Sequence, residues 1–312
     1  MTNKILWTIC GLLFFIGLAL VMKDKLEITE AGKKIFGQSI NITEPSLIKH
    51  PTRKTSASDP NIYAKAAYLI DLNSFYPMYE KAENEKLPIA STTKMATAIV
   101  ILENHNNKLQ DPVTITSSMI NVEGSDIQLK VGEEITVENL LNGLLIMSGN
   151  DTAYALAEYF GGKDKFVAEM NDKVLQIGAQ NTKYQDPAGL NDEGYSTSKD
   201  LALIAAYGLK NKIFADIVKT GTKTVTSTDG RIVHDLKNSN RMMRSEESLY
   251  YPYAIGIKTG FTNEAGHVLV SCAENNGHKI LGVVLNTEEN SLTASAKESK
   301  KLLEWGFANW TW

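Results

Sequence analysis

A serine can open an acyl bond only if a neighbour takes its proton, and this chain sets such a neighbour close by. In Ser91-Thr92-Thr93-Lys94 the lysine follows the serine at i+3, which on a helix brings both to one face. Two further short motifs follow in order. Ser148-Gly149-Asn150 offers a second serine and an amide, and Lys258-Thr259-Gly260 offers a cation, a hydroxyl and a residue without a side chain. Each motif alone is common in unrelated chains. In this order they describe acyl transfer through a covalent serine intermediate, with a lysine base and a seat for a carboxylate.

Each motif also has a plainer reading. Ser91 follows Leu87-Pro88-Ile89-Ala90 at the start of a helical pattern, where serine commonly caps free amides. Lys94 argues for more, because a lysine in the first turn faces the partial positive charge of the helix N-terminus. That placement suits a base whose pKa is lowered until the neutral amine can accept a proton. The same helix end offers backbone amides to an oxyanion. Ser148-Gly149-Asn150 falls between two helical patterns, where Gly149 can break one and Asn150 or Asp151 cap the next. Its place between the other motifs favours a second serine at the site. Lys258-Thr259-Gly260 reads as an exposed strand end, or as a cation and hydroxyl for a carboxylate with Gly260 admitting a substrate backbone. The edge of that strand could pair with an extended peptide or an acyl-amide.

The elements needed to hold these residues are legible in the hydrophobic pattern. Ala66 to Asp71 and Tyr76 to Tyr79 read as a strand pair. From Ser91 the period changes: Met95, Ala98, Ile99 and Leu102 form a helical stripe. Leu140 to Met147 reads as a buried helix, apolar nearly all round. Asp151 can cap a helix carrying Leu156, Ala157 and Phe160 and ending at Gly161-Gly162. Phe166, Met170, Val174 and Ile177 mark another, ended by Gly178, and Ser198 is expected to cap the next. Strand character then returns. Asp229-Gly230 sits between Thr222–Thr228 and Arg231–Leu236, and Asn276-Gly277 between His267–Ala273 and Lys279–Asn286, as in two hairpins. A last helix covers roughly Leu292 to Phe307. Strands, a helical block, antiparallel hairpins and a closing helix make an α+β architecture.

Composition bounds the function. The 312 residues are 43% hydrophobic and 22% charged, as in a globular protein. A net charge of -4 and the lack of a long basic run argue against a nucleic-acid partner and for a small-molecule or peptide substrate. The five histidines are scattered and the two cysteines, Cys10 and Cys272, show no metal spacing, so neither metal nor cofactor is expected. Ile5 to Met22 is an uncharged, mostly apolar run. It reads as a membrane anchor, or as a signal peptide with Gly17-Leu18-Ala19 as its cleavage site. Either sends the rest of the chain out of the cytoplasm. Residues 23–60 read as a polar spacer and 61–312 as the catalytic domain.

The segments around the motifs resemble those of serine-type D-alanyl-D-alanine carboxypeptidases, the low-molecular-mass penicillin-binding proteins of peptidase family S11. Pro88 to Thr97 resembles the nucleophile segment, Leu144 to Ala153 the second motif, and Lys258 to Gly266 the third. Asp186-Pro187-Ala188-Gly189-Leu190 and Ser196 to Leu201 match the middle section. The resemblance implies a β-lactamase/penicillin-binding-protein transpeptidase-like fold, with an antiparallel sheet flanked by helices and an all-helical subdomain. It implies peptidoglycan stem peptides as substrates and β-lactams as covalent inhibitors. Ser91 would be the nucleophile, Lys94 its base and Ser148 a proton carrier. Asn150, Lys258, Thr259, Gly260 and Phe261 would bind substrate, the Phe261 amide completing an oxyanion site. Well-studied members continue into a second β-rich domain and a C-terminal amphipathic helix. Here the chain ends soon after Phe307, so an N-terminal anchor would serve instead. A cross-link endopeptidase would use the same residues. A serine β-lactamase has less support, since Asp186 and Glu193 are not marked as the deacylating carboxylate. A non-catalytic cell-wall-binding protein would have no need of three intact motifs.

Overall fold

The structure, a computed structural model, describes residues 49–312. The expected anchor or signal segment, 1–22, and most of the expected spacer lie outside these residues. Among the described residues, no helix is long and apolar enough to cross a membrane.

A five-stranded antiparallel sheet forms the centre, in the spatial order Ala254–Thr262, Gly266–Asn275, His278–Thr287, Ala64–Asp71, Pro77–Lys81. Both faces are covered, so the inner strands are apolar on both sides. Alternation along each strand sorts the side chains. Leu69, Leu269, Ile280 and Val284 face the closing helix Ala294–Asn309, where Leu302 and Leu303 are fully buried. Tyr68, Ile70, Val270, Leu281 and Val283 face the helical block. Burial of each such Leu or Ile contributes roughly 2 kcal/mol of transfer free energy.

The helical block comprises Lys94–Asn104, Val137–Asn142 continuing as a wider turn through Met147, Asn150–Tyr159, Lys163–Ile177, Ser198–Gly208 and Lys212–Lys219. It also carries two small antiparallel ladders, Pro112–Thr114 with Glu134–Thr136 and Thr222–Thr226 with Val233–Lys237. The helix Lys212–Lys219 has no counterpart in the hydrophobic reading. Asn211 caps it by accepting from the Ile213 and Phe214 amides. The cap before Ser198 is Thr197, not Ser198 itself: Thr197 Oγ1 accepts from the Asp200 amide at 3.0 Å.

Ordered pairing begins earlier than the expected spacer boundary at residue 60. Thr52–Arg53 pairs antiparallel with Trp310–Thr311. Aromatic burial is the cause. Trp310 is buried with its ring 5.9 Å from Tyr76, and Trp312 stacks on His278 and donates to Asp71 at 2.7 Å. The tail packs on the domain.

Candidate active site

Ala90–Thr93 form a tight 3-10 turn that runs directly into the helix Lys94–Asn104. Ser91 is therefore inside a turn and caps nothing, since Ile89 holds the cap position and no side-chain cap bond is present. Ser91 Oγ lies 2.8 Å from Lys94 Nζ. The turn is strained at Ala90, whose φ of 47° lies in the left-handed region. Two glycines allow other chain segments to close on it. A Cβ on Gly189, at φ +80°, would lie 1.9 Å from the Ala90 carbonyl oxygen. One on Gly260 would lie 2.9 Å from the Ser91 amide nitrogen, so the Lys258 strand and the nucleophile's backbone are in close contact.

Lys94 is fully buried, and Nζ meets Asn150 Oδ1 at 2.7 Å and the Ala188 carbonyl at 2.8 Å as well as Ser91. The orientation of Asn150 is determined, because its Nδ2 donates to the Glu123 carbonyl at 2.6 Å and so Oδ1 must face the lysine. Two of the three partners can only accept. A neutral amine donates to both and keeps its lone pair for the Ser91 hydroxyl. Burial pushes the Lys94 ammonium down to about 7, with the carboxylates of Asp186 and Asp151 pulling the other way. Asp186 accepts from the amides of Ala188, Gly189 and Asn191, each at 2.7 Å, which shapes the loop beneath Lys94. With those oxygens occupied, Asp186 is a loop-forming carboxylate; Glu193 lies exposed in the following turn.

The wider turn Gly143–Met147 ends at Ser148, whose φ of 68° swings the chain out of the helix before Asn150 begins the next. Ser148 Oγ accepts from Lys258 Nζ at 2.8 Å. Ser148 thus hydrogen-bonds Lys258, while Lys94 binds Asn150. Lys258 is fully buried and also donates to the Thr259 carbonyl at 3.0 Å. Burial, and then the charge on Lys94, hold its pKa well below the ordinary lysine value.

The Lys258 strand is the outer strand of the sheet, so its edge is unpaired beside the nucleophile. Phe261 is 47% exposed, with its ring 4.4 Å from that of His267. A cleft of about 470 Å³ opens there, lined by Ser91, Ser148, Asn150, Thr259, Gly260 and Phe261. All eight residues picked from the motifs gather at or directly beneath this cleft.

The cleft also holds residues the motif reading missed. Ser239 shares a hydrogen bond with the Thr259 hydroxyl at 2.7 Å, and Arg241 and Arg244 line the rim. Both arginines pair with Glu247, which leaves one net positive charge there. The signal available in sequence was Asn238-Ser239-Asn240, because asparagines shape turns through their own side chains. Here Asn238 accepts from the Asn240 amide and Asn240 from the Met242 amide.

A family model described as D-alanyl-D-alanine carboxypeptidase, peptidase S11, matches residues 53–289. The chain belongs to this family. As a family member it is 34% identical over 273 residues to a D-alanyl-D-alanine carboxypeptidase of Streptomyces sp. (strain K15), covering 82% of this chain and 91% of that one. It is 35% identical over 227 residues to the D-alanyl-D-alanine carboxypeptidase DacF of Bacillus subtilis (strain 168). That match covers 71% of this chain and 57% of the relative's length. The crystal structure of the Streptomyces K15 DD-transpeptidase is similar with a TM-score of 0.74 and 33% identity, over 81% of this chain and 100% of that chain. The S11 likeness thus spans the sheet, the helical block and all three motifs.

Proposed function

We propose that this protein is a serine-type D-alanyl-D-alanine carboxypeptidase that removes the terminal D-Ala from peptidoglycan stem pentapeptides. The observation that carries this reading is Lys94: a buried amine with its pKa near neutrality, two fixed acceptors and the Ser91 hydroxyl as its third partner. Ser91 Oγ gives its proton to Lys94 and attacks the carbonyl of the penultimate D-Ala. The amides of Ser91 and Phe261 receive the oxyanion; the closeness of Gly260 to the Ser91 amide supports this pairing. Ser148, backed by Lys258, passes a proton to the departing D-Ala nitrogen. The Thr259 hydroxyl meets the terminal carboxylate, with Lys258 buried behind it against Ser148. Water then releases the acyl-enzyme. β-Lactams acylate Ser91 by the same route and leave slowly.

The net positive charge shared by Arg241, Arg244 and Glu247 at the cleft rim favours a substrate ending in a free carboxylate. That supports carboxypeptidase over cross-link endopeptidase action, which would use the same catalytic groups. The test is product analysis on defined muropeptides, with penicillin adducts mapped by mass spectrometry. Release of D-Ala from pentapeptides and an adduct on the Ser91 peptide are expected. Cleaved cross-links without D-Ala release, or an adduct on Ser148, would overturn the assignment. Residues 1–22 hold the enzyme on the outer face of the cytoplasmic membrane in this reading, supported by the apolar run Ile5 to Met22. A mature protein beginning near Leu20 in the soluble fraction would refute that anchor.

A further inference from the structure

Beyond the cleft, one buried ionisable pair has no part in the mechanism above. His234, on the hairpin strand Val233–Lys237, is buried together with Glu133. Its Nδ1 lies 2.8 Å from the Ile127 carbonyl and its Nε2 lies 2.7 Å from Glu133 Oε1. A carbonyl can only accept, so Nδ1 carries a proton and donates it to Ile127. Glu133 is held in turn by the Lys130 amide at 3.0 Å.

Ile127 belongs to the segment 123–129 that roofs the base. The Glu123 carbonyl accepts from Asn150 Nδ2, and the Ser125 carbonyl accepts from the Asn150 amide at 2.7 Å. From below, the Asp151 carboxylate accepts from the amides of Ile127 and Leu129. Gly124, Ser125, Asp126 and Gln128 are exposed, and only the Ile127 and Leu129 side chains of 124–129 enter the core. It is pinned at the Asn150–Asp151 helix start on one side and at His234 on the other.

We propose that His234 is a positioning residue for Lys94: its Nδ1–H anchors the Ile127 carbonyl and so holds the segment whose Glu123 and Ser125 carbonyls orient Asn150 against the lysine. The proposal rests on the reading of Lys94 as the base. Without the anchor the segment lifts, water reaches the Lys94 pocket, and the burial that lowers the lysine's pKa is relieved. The charged groups felt by Lys94 in that pocket are Asp186 and Asp151, and Lys258 feels Lys94 in return.

Two replacements of His234 separate the anchor from simple packing. In His234→Asn the side-chain amide stands near the Nδ1 position and still reaches Ile127. In His234→Gln it stands near the Nε2 position and reaches Glu133 instead. Acylation of the full chain by a fluorescent penicillin is measured across pH. For His234→Gln the acid limb is expected to move up by about one unit, with acylation at pH 7 falling roughly fivefold. His234→Asn should stay within about twofold of the wild type at that pH, well inside a one-unit shift. Equal rates for the two variants, or a slower Asn variant, would overturn the proposal. Where His234→Gln does not fold, Glu133→Gln decides: a lower melting temperature with an unmoved acid limb supports the Ile127 anchor, and a moved limb refutes it. A Lys94→Arg protein that still acylates would remove the role of Lys94, and the ratio between the two His234 variants would be untouched by that result.

Discussion

Two serine–lysine pairs face the same cleft, each with 2.8 Å between hydroxyl oxygen and amine, yet they are built differently. Lys94 sits on a helix start among fixed acceptors, with the carboxylates of Asp151 and Asp186 opposing part of the effect of burial. Lys258 sits on a strand with a hydroxyl and a carbonyl for company, and the nearby charge it feels is the repelling one on Lys94. The same pair of side chains is thus tuned for opposite ends of one reaction. On the proposed roles, a proton taken from Ser91 makes Lys94 positive, and that charge disfavours a second one on Lys258. The way out for the Lys258 proton is Ser148. Coupling of this kind makes the two amines one titrating system and not two independent bases.

The contrast breaks most visibly at Lys94. Arginine keeps its charge at every accessible pH, so Lys94→Arg should cut penicillin acylation by about 10³-fold in a protein that still folds. Near-normal acylation in that variant would end the distinction between the pairs. In the wild type the sign follows from the lowered pKa of about 7. The amine is protonated and inactive below that value and neutral above it, so acylation should rise with pH through neutrality. A flat profile from pH 5 to pH 9 would contradict it.

Lys258→Ala should cost less, about 10²-fold in acylation, because the nucleophile and its base remain intact. An effect as large as that of Lys94→Arg would mean that the pairs do the same work. The smallest change is expected at Ser239, which touches Thr259 and neither lysine. Ser239→Ala removes one neutral hydrogen bond worth about 1 kcal/mol, so half-saturating substrate should rise about fivefold with turnover unchanged. A fall in turnover with unchanged saturation would place Ser239 in the chemistry instead.

Much of this was readable in the sequence, because the strongest signals are local. The i+3 spacing of Ser91 and Lys94, the turn residues Asp229-Gly230 and Asn276-Gly277, and the apolar stripes each depend on near neighbours. What escaped depends on contacts between distant segments. Nothing near Ser239 signals that its turn will meet Thr259, and nothing near His234 signals Ile127. The plainer reading of Ser91 as a helix cap fails for a related reason. A 3-10 turn under tertiary strain at Ala90, closed over by Gly189, puts the serine inside the turn where propensity would have it at the edge. The helix Lys212–Lys219 was missed because it is short, and its three buried residues, Phe214, Ile217 and Val218, do not make a stripe long enough to count.

The antiparallel match of Thr52 with Thr311 means that the described chain enters and leaves the domain side by side. Strands so paired run about 5 Å apart. A short linker from Trp312 to Lys49 would therefore close the domain into a ring, and new ends could be opened at the exposed Asp229-Gly230 tip. In such a permuted chain the Lys258 strand would precede the nucleophile segment, so the three motifs would appear in another order while the cleft kept its geometry. The order of motifs along the chain is a record of descent, and their arrangement in space does not require it.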